Sequence, residues 1–122
     1  MEIQLSGMCG NSPKNKLAED LAVALITGDT KTLTHLLSGD ASVELVGSER
    51  YPLSAVLQGE ASVPELTLLT IEHAISHGKI AAVSGNWMTR GGIRFAFSDH
   101  YSFATTKGTE VAAARCYRIK LD

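Results

Sequence analysis

The chain has 122 residues, of which 44% are hydrophobic and 20% are charged, and its formal net charge is -2 at pH 7. This length fits one domain, residues 1–122, whose core needs no disulfide or metal. Basic residues are scattered and do not outnumber acidic ones, which argues against a nucleic-acid partner. No stretch is apolar enough for a signal peptide or a membrane span, so we expect a cytoplasmic protein without a membrane partner.

Three helices are predicted in the first half of the chain. Ser12 is a suitable N-cap, Pro13 is a suitable first helical residue, and apolar residues then recur at helical spacing. Asp29 can cap the second helix. Residues 1–11 are expected to be flexible or loosely packed. The predicted helices cover residues 13–28, 30–37 and roughly 52–58.

From Leu66 onward the sequence is typical of strands, since it is rich in Ile, Val, Thr and aromatic residues. The turn sequences HGK, RGG and TKG separate four long segments, and one short strand precedes them. The predicted strands cover residues 42–46, 66–77, 79–89, 93–105 and 109–121. Helices followed by a long meander predict an α+β domain, with three N-terminal helices packed on a strongly curved, mostly antiparallel sheet.

The predicted strand FAFSDHYSF, residues 95–103, carries one carboxylate among aromatic rings. With a period of two, Asp99 shares its face with Phe95, Phe97, Tyr101 and Phe103. An ionised carboxylate on an apolar surface is unfavourable unless it is paired, hydrogen-bonded or protonated. Asp99 is therefore the first candidate for a functional side chain.

The hairpin turns allow an estimate of strand register. If HGK and RGG each contain a two-residue turn, His73 opposes Ser84, and Ser84 opposes Asp99. A three-residue TKG loop then places Asp99 opposite Arg115. The other residues predicted for this face are Ile71, Ile75, Ala82, Met88, Phe97, Tyr101, Ala113 and Tyr117. An apolar face crossed by a polar row is typical of a small-molecule pocket, although one β-bulge would reverse the faces beyond it.

Each polar candidate has two interpretations. Asp99 and Arg115 could form a structural ion pair, or Asp99 could lie in an apolar pocket that raises its carboxyl pKa. His73 could be a core histidine bonded to Ser84, or a base about 10 Å from Asp99. In EHAISH, His73 and His77 would lie about 13 Å apart on a strand, which does not suit a shared metal ion.

One tryptophan and two cysteines remain to be placed. The register puts Trp87 on the face opposite Asp99, where an exposed ring would suit a subunit interface. Cys9 and Cys116 fit no metal or redox spacing and are interpreted as reduced thiols, although a disulfide between them stays open. No cofactor motif is present, so we expect neither a cofactor nor a metal.

Three stretches carry a resemblance to a known family: ASVELVGSER at 41–50, LTIEHAISHGKIAAVSG at 69–85, and FSDHYSFATTKGTEVAAARCYRI at 97–119. In these stretches and in its element order, the chain resembles the SnoaL-like family of the nuclear transport factor 2-like superfamily, whose cystatin-like fold is a cone. The resemblance covers almost the whole chain. It implies the fold, whereas the superfamily contains isomerases, dehydratases, cyclases, hydrolases and non-catalytic modules.

The resemblance also implies a role for Asp99. This residue matches the strand position at which ketosteroid isomerases keep a protonated Asp that donates a hydrogen bond to a developing oxyanion. Two other isomerase residues have no counterpart. Leu45 stands where those enzymes place their general base, with only Glu44 nearby, and the helix KLAEDLAVALITG contains no tyrosine. Steroid isomerisation by the family mechanism is therefore not expected.

The sequence predicts binding of a small, largely apolar organic molecule, with cofactor-independent proton transfer of the isomerase, cyclase or dehydratase type as the associated chemistry. Asp99 would be the acid or oxyanion donor, and His73 would be the base. The expected protein partner is a second copy, bound through the outer sheet face. The alternative is a non-catalytic dimerisation or interaction module with a vestigial pocket. The predicted ligand contacts are Ser84, Asn86, Phe97, Tyr101, Arg115, Tyr117 and Glu44.

Overall fold

The computed structural model describes all residues, 1–122, as three helices and one seven-stranded sheet. The helices are α1 (Pro13–Thr27), α2 (Thr30–Leu36) and α3 (Leu53–Leu57). The strands are β1 (Glu2–Gln4), β2 (Leu37–Leu45), β3 (Arg50–Pro52), β4 (Leu66–His77), β5 (Ile80–Thr89), β6 (Arg94–Phe103) and β7 (Val111–Lys120). Their order is β1-β4-β5-β6-β7-β2-β3, and only the β1–β4 and β2–β7 pairs are parallel. The predicted α+β fold is confirmed.

Local capping explains where the first two helices begin. The Ser12 Oγ accepts a hydrogen bond from the Asn15 backbone N–H at 3.2 Å, and Pro13 follows as the first helical residue. Asp29 caps α2 by accepting from the Thr32 N–H. Between them, Gly28 ends α1 in the left-handed conformation, with φ of 80°. None of the three helices combines the length and the apolar character that a membrane crossing requires.

The sheet has two unlike faces. The inner face packs against the helices and contributes to a core of 24 buried apolar residues. The outer face is open, and three isoleucines on it, Ile75, Ile80 and Ile119, are more than half exposed.

The N-terminal segment forms an edge strand that the sequence pattern does not predict. Residues 2–4 pair in parallel with β4. Beyond them, the Ser6 hydroxyl and amide both donate to the Glu19 carboxylate of α1, and the Cys9 thiol donates to its other oxygen. Burial raises the pKa of Glu19, but the hydrogen bonds from Ser6 outweigh it and leave the pKa below its ordinary value. Cys9 and Cys116 are both free thiols.

The β4–β5 hairpin has the predicted register near its turn. His77 pairs with Ile80, and His73 pairs with Ser84, as a two-residue turn requires. The register then shifts between Ile71 and His73, so that Glu72 is an extra residue in β4.

The β5–β6 turn differs from the prediction by one residue. The Thr89 N–H donates to the Ile93 carbonyl at 2.9 Å, which closes a three-residue loop in which Gly92 has a φ of 79°. As a result Ser84 pairs with Ser98, and Asp99 pairs with Val83. The prediction that Ser84 opposes Asp99 is wrong. The loop is one residue longer than predicted, so the pairing shifts by one residue and Asp99 lies on the opposite face of the sheet from Ser84.

A bulge in β7 also breaks the predicted pairing with β6. Phe103 pairs with Val111, but Ser102 pairs with Ala113, so Ala112 is the extra residue. Asp99 consequently pairs with Cys116, and the prediction that it opposes Arg115 is wrong. Arg115 pairs with His100 and lies on the outer face.

Candidate functional site

Asp99 is fully buried on the inner face, with 0% of its surface exposed. Its carboxylate oxygens have different surroundings. The Tyr101 hydroxyl donates a hydrogen bond to Oδ2 at 2.7 Å, whereas Oδ1 has no hydrogen-bond partner in the chain. Oδ2 is therefore held by Tyr101, and the Cys116 thiol of the facing strand also lies near the carboxyl group.

Burial raises the pKa of the Asp99 carboxyl above its ordinary value. The hydrogen bond from Tyr101, the charge of Arg118, the Cys116 thiol and the charge of His100 act in the opposite direction without cancelling it. The pKa values of the Tyr101 phenol and the Cys116 thiol are also raised, first by burial and then by the charge of Asp99. The surroundings thus favour the neutral form of all three groups.

Trp87 and Arg118, which the sequence pattern does not assign to this site, extend it along the same face. The Arg118 Cζ lies 5.3 Å from the centre of the Trp87 ring, and Nη1 donates to the Ala61 carbonyl at 2.7 Å. The Trp87 ring also stacks on Phe95 and Phe97. Trp87 is only 3% exposed and shares its face with Asp99, so its predicted place in an outer interface is wrong. Alternation along β7 indicates that Arg118 shares the face of Cys116, two residues before it.

We call Trp87, Asp99, Tyr101, Cys116 and Arg118 the inner cluster. The buried side-chain atoms of the protein that lack a hydrogen-bond partner all belong to three of its members: Trp87 Nε1, Asp99 Oδ1, and Arg118 Nε and Nη2. Buried polar atoms in folded proteins are nearly always hydrogen-bonded. Their concentration in one place therefore marks the inner cluster as the candidate functional site.

The residues predicted from sequence fall into two groups on opposite faces. Phe97 and Tyr101 lie on the inner face with Asp99. The remaining predicted residues lie on the outer face: His73, Ser84, Asn86, Arg115, Tyr117 and Glu44. The predicted row from His73 to Arg115 therefore does not form, because its third member, Asp99, points into the core.

On the outer face, Arg115 has a different partner from the predicted one, whereas His73 contacts Ser84. The Arg115 Nε donates to the Glu44 carboxylate at 3.2 Å, so the Asp99–Arg115 ion pair is wrong. Arg50 Nη2 lies 3.6 Å from the same carboxylate oxygen. His73 is exposed, with Nδ1 3.3 Å from the Ser84 Oγ, and is therefore not a core histidine.

Asp99 lines none of the five principal cavities of the protein. One of them, of about 260 Å³, lies over the outer face between Glu44, Arg115 and His100. Only Tyr101 of the inner cluster borders one of these cavities, so a ligand reaches Asp99 only if a packed segment moves. The loop at 58–65 is the segment whose Ala61 carbonyl holds Arg118.

The arrangement of three helices on a curved sheet recurs in solved structures. An NTF-2 like protein of unknown function from Burkholderia xenovorans superimposes with a TM-score of 0.70 at 14% identity, covering 89% of this chain and 87% of that chain. The chain has the NTF2-like fold. The predicted resemblance to the superfamily is confirmed at the level of fold.

Two further structures with the NTF2-like fold have named activities. An LEH-like epoxide hydrolase from M. tuberculosis has a TM-score of 0.64 at 14% identity, covering 86% of this chain and 81% of that chain. A candidate SnoaL-like polyketide cyclase from Shewanella putrefaciens has a TM-score of 0.63 at 17% identity, covering 93% and 83%. No protein-family model matches the sequence, and no curated protein matches it.

A Tyr101→Phe substitution tests the hydrogen bond to Asp99. Since this bond stabilises the ionised carboxylate, we expect its loss to raise the pKa of Asp99 further and to lower the free energy of unfolding by about 1 kcal/mol. Carboxyl-detected NMR titration measures the pKa. Tyr117→Phe, on the outer face, is the matched control and should leave the Asp99 signal unchanged. An unchanged or lower pKa in Tyr101→Phe would contradict the assigned donor.

Proposed function

We propose that this NTF2-like domain binds a small, largely apolar organic molecule against the inner cluster, and that Asp99 acts on it as an acid or hydrogen-bond donor. One observation carries the proposal. Asp99 is fully buried among aromatic side chains, with one oxygen bonded to Tyr101 and the other unpaired. A carboxylic acid kept neutral by such surroundings can donate to an oxygen that gains negative charge during a reaction.

The role of each member of the inner cluster follows from its contacts. The Tyr101 hydroxyl fixes the orientation of the Asp99 carboxyl through Oδ2, which leaves Oδ1 to face the ligand. Phe97 is the next residue of β6 on the same face, and the Trp87 ring stacks on Phe97 and Phe95 further along it. Transfer of a proton between a carboxyl group and an organic substrate requires no cofactor.

His73, the base predicted from the sequence, does not belong to this site. His73 lies on the outer face and Asp99 on the inner face, so the two cannot contact one small ligand at the inner cluster. Within the cluster, burial raises the pKa of the Cys116 thiol, which makes it a poor proton acceptor near neutral pH. We therefore propose acid or oxyanion-stabilising chemistry at Asp99, without His73 as its partner.

The solved neighbours support the proposal at the level of the scaffold. An epoxide hydrolase and a candidate polyketide cyclase both use the NTF2-like fold. Folds of this kind host many unrelated activities, so the chemistry of this chain depends on its own inner residues.

A non-catalytic dimerisation module is the second candidate function. The exposed isoleucines Ile75 and Ile80, which lie together near the β4–β5 turn on the outer face, favour it, because large apolar side chains grouped on an open sheet suit a protein partner. We propose that this partner is a second copy of the chain. Under this candidate function the inner cluster would have only a structural role.

Hydrogen exchange distinguishes the two functions. The protein is incubated in D₂O with a panel of small cyclic ketones and enones, and NMR follows deuterium entry at the carbon next to the carbonyl. We expect catalysed exchange in the wild type, in which Asp99 donates a proton to the carbonyl oxygen and solvent water removes the proton from the neighbouring carbon, and a loss of about 100-fold or more in Asp99→Asn. Asp122→Asn, at the exposed C terminus, is the control for the same chemical change. Equal exchange rates in wild type and Asp99→Asn would exclude the proposed role of Asp99.

A further inference from the structure

Arg118 is a partly buried arginine that has no ion-pair partner in the protein. Its Nε and Nη2 atoms are inaccessible and unbonded, and its Nη1 is bonded only to the neutral Ala61 carbonyl. The ion pairs of the protein lie elsewhere, at Lys16–Asp20 and around Glu44. Burying N–H groups without an acceptor is unfavourable, so this edge of Arg118 calls for an acceptor, and the charge of the guanidinium favours an anionic one.

Asp99 does not form an ion pair with Arg118. It lies on β6 diagonally across from Arg118, since Asp99 pairs with Cys116 and Arg118 pairs with Phe97. No oxygen of Asp99 lies within ion-pair distance of the guanidinium, and its own partner is Tyr101. Asp99 therefore leaves the Nε–Nη2 edge of Arg118 without an acceptor.

The unbonded atoms have a defined geometry. Nε and Nη2 belong to the same edge of the planar guanidinium, and their N–H groups are parallel. This edge matches the two oxygens of a carboxylate in a bidentate pair. The Trp87 Nε1–H, also unbonded, belongs to the ring on which the guanidinium lies and is available as a third donor.

We infer that the ligand of the inner cluster is a small organic monocarboxylate, whose carboxylate binds the Nε–Nη2 edge of Arg118 and whose apolar part packs near Asp99. This inference rests on the proposed function, because it names the substrate class of the same site. Arg118 is then a substrate-binding residue. The Ala61 carbonyl holds Nη1, so the loop at 58–65 lies beside the proposed carboxylate site.

Matched pairs of probes test the inference. Cyclohexanecarboxylate is compared with cyclohexanecarboxamide, which has nearly the same shape and no charge. The protein contains one tryptophan, so the indole N–H gives a single ¹H–¹⁵N signal that reports on Trp87. We expect the carboxylate to shift this signal and to bind about tenfold or more tightly than the amide.

Variants at Arg118 identify the group responsible. Arg118→Met should remove the preference for the carboxylate, and Arg118→Lys should restore only part of it, because an ammonium group keeps the charge but lacks the two-donor edge. Arg115→Met, an exposed arginine on the outer face, is the control and should keep the full preference. If Arg118→Met does not fold, the comparison of the two probes in the wild type still decides the inference.

The outcomes separate this inference from the proposed function. Equal affinities for carboxylate and amide, with the Trp87 signal shifted by both, would overturn the inference and leave the proposed function standing. Signal changes confined to the outer face, or no binding of either probe, would overturn both. Binding of inorganic phosphate as tight as that of the carboxylate would overturn the assigned ligand class.

Discussion

The Asp99→Asn variant is expected to equal the wild type in stability near pH 4 and to exceed it near pH 8. Burial raises the pKa of the folded-state Asp99 above the unfolded value of about 3.9. The stabilisation from the bound proton is fully present below the unfolded pKa, and it is lost as pH rises through the folded pKa. Each unit of elevation corresponds to about 1.4 kcal/mol. Asparagine cannot ionise and still offers an oxygen to Tyr101. The free energy of unfolding of the variant therefore does not fall as pH rises through the pKa of Asp99.

Urea denaturation at several pH values, followed by the fluorescence of the buried Trp87, measures the free energy of unfolding of both proteins. Asp122→Asn, at the exposed C terminus, controls for the loss of one carboxyl group. The opposite trend, in which Asp99→Asn becomes less stable than the wild type as pH rises, would mean that Asp99 is ionised in the fold. Arg118 would then be its counter-charge, and both the proposed function and the inferred carboxylate site would fail.

A Gly85→Ala substitution is expected to destabilise the fold by about 3 kcal/mol or more. A Cβ atom at this position would lie 2.0 Å from the Thr70 carbonyl oxygen, 2.9 Å from the Phe97 ring and 3.1 Å from the Ile71 Cα. Two of these three atoms belong to the backbone of β4, next to the extra residue Glu72. They cannot rotate away as a flexible side chain would.

Thermal unfolding or urea denaturation measures this effect. Gly39→Ala is the matched control, since Gly39 is exposed and no atom lies within 4 Å of its added Cβ. It should be within about 0.5 kcal/mol of the wild type. A similarly small effect for Gly85→Ala would mean that β4 and β5 separate more easily than the close contact of Gly85 with Thr70 and Ile71 indicates.

Local sequence signals predict the helices and one hairpin correctly because they act within a few residues. Ser12 and Asp29 supply cap acceptors, and Gly28 adopts the left-handed conformation that ends α1. The two-residue turn before Ile80 fixes the pairing of His73 with Ser84. The edge strand at residues 2–4 has no comparable local signal, because its pairing partner is β4, more than sixty residues away.

The candidate site is predicted only in part. Asp99, Phe97 and Tyr101 were identified because alternation along one strand places them together whatever the neighbouring strands do. Arg118 and Trp87 were not identified with them, because their proximity depends on the pairing of three strands. That pairing differs from the estimate by one residue at the β5–β6 turn and again at Ala112 in β7.

The sequence by itself determined the α+β fold and the position of a carboxylate among aromatic rings, since both follow from periodicity and turn residues. Only the tertiary structure decided which face Asp99 occupies and which groups surround it. The physical reason is that side chains alternate with a period of two, so one extra residue exchanges the faces of everything beyond it. Two such residues, in the β5–β6 loop and at Ala112, place Asp99 on the same face as Arg118 and leave Arg115 and His73 on the outer face.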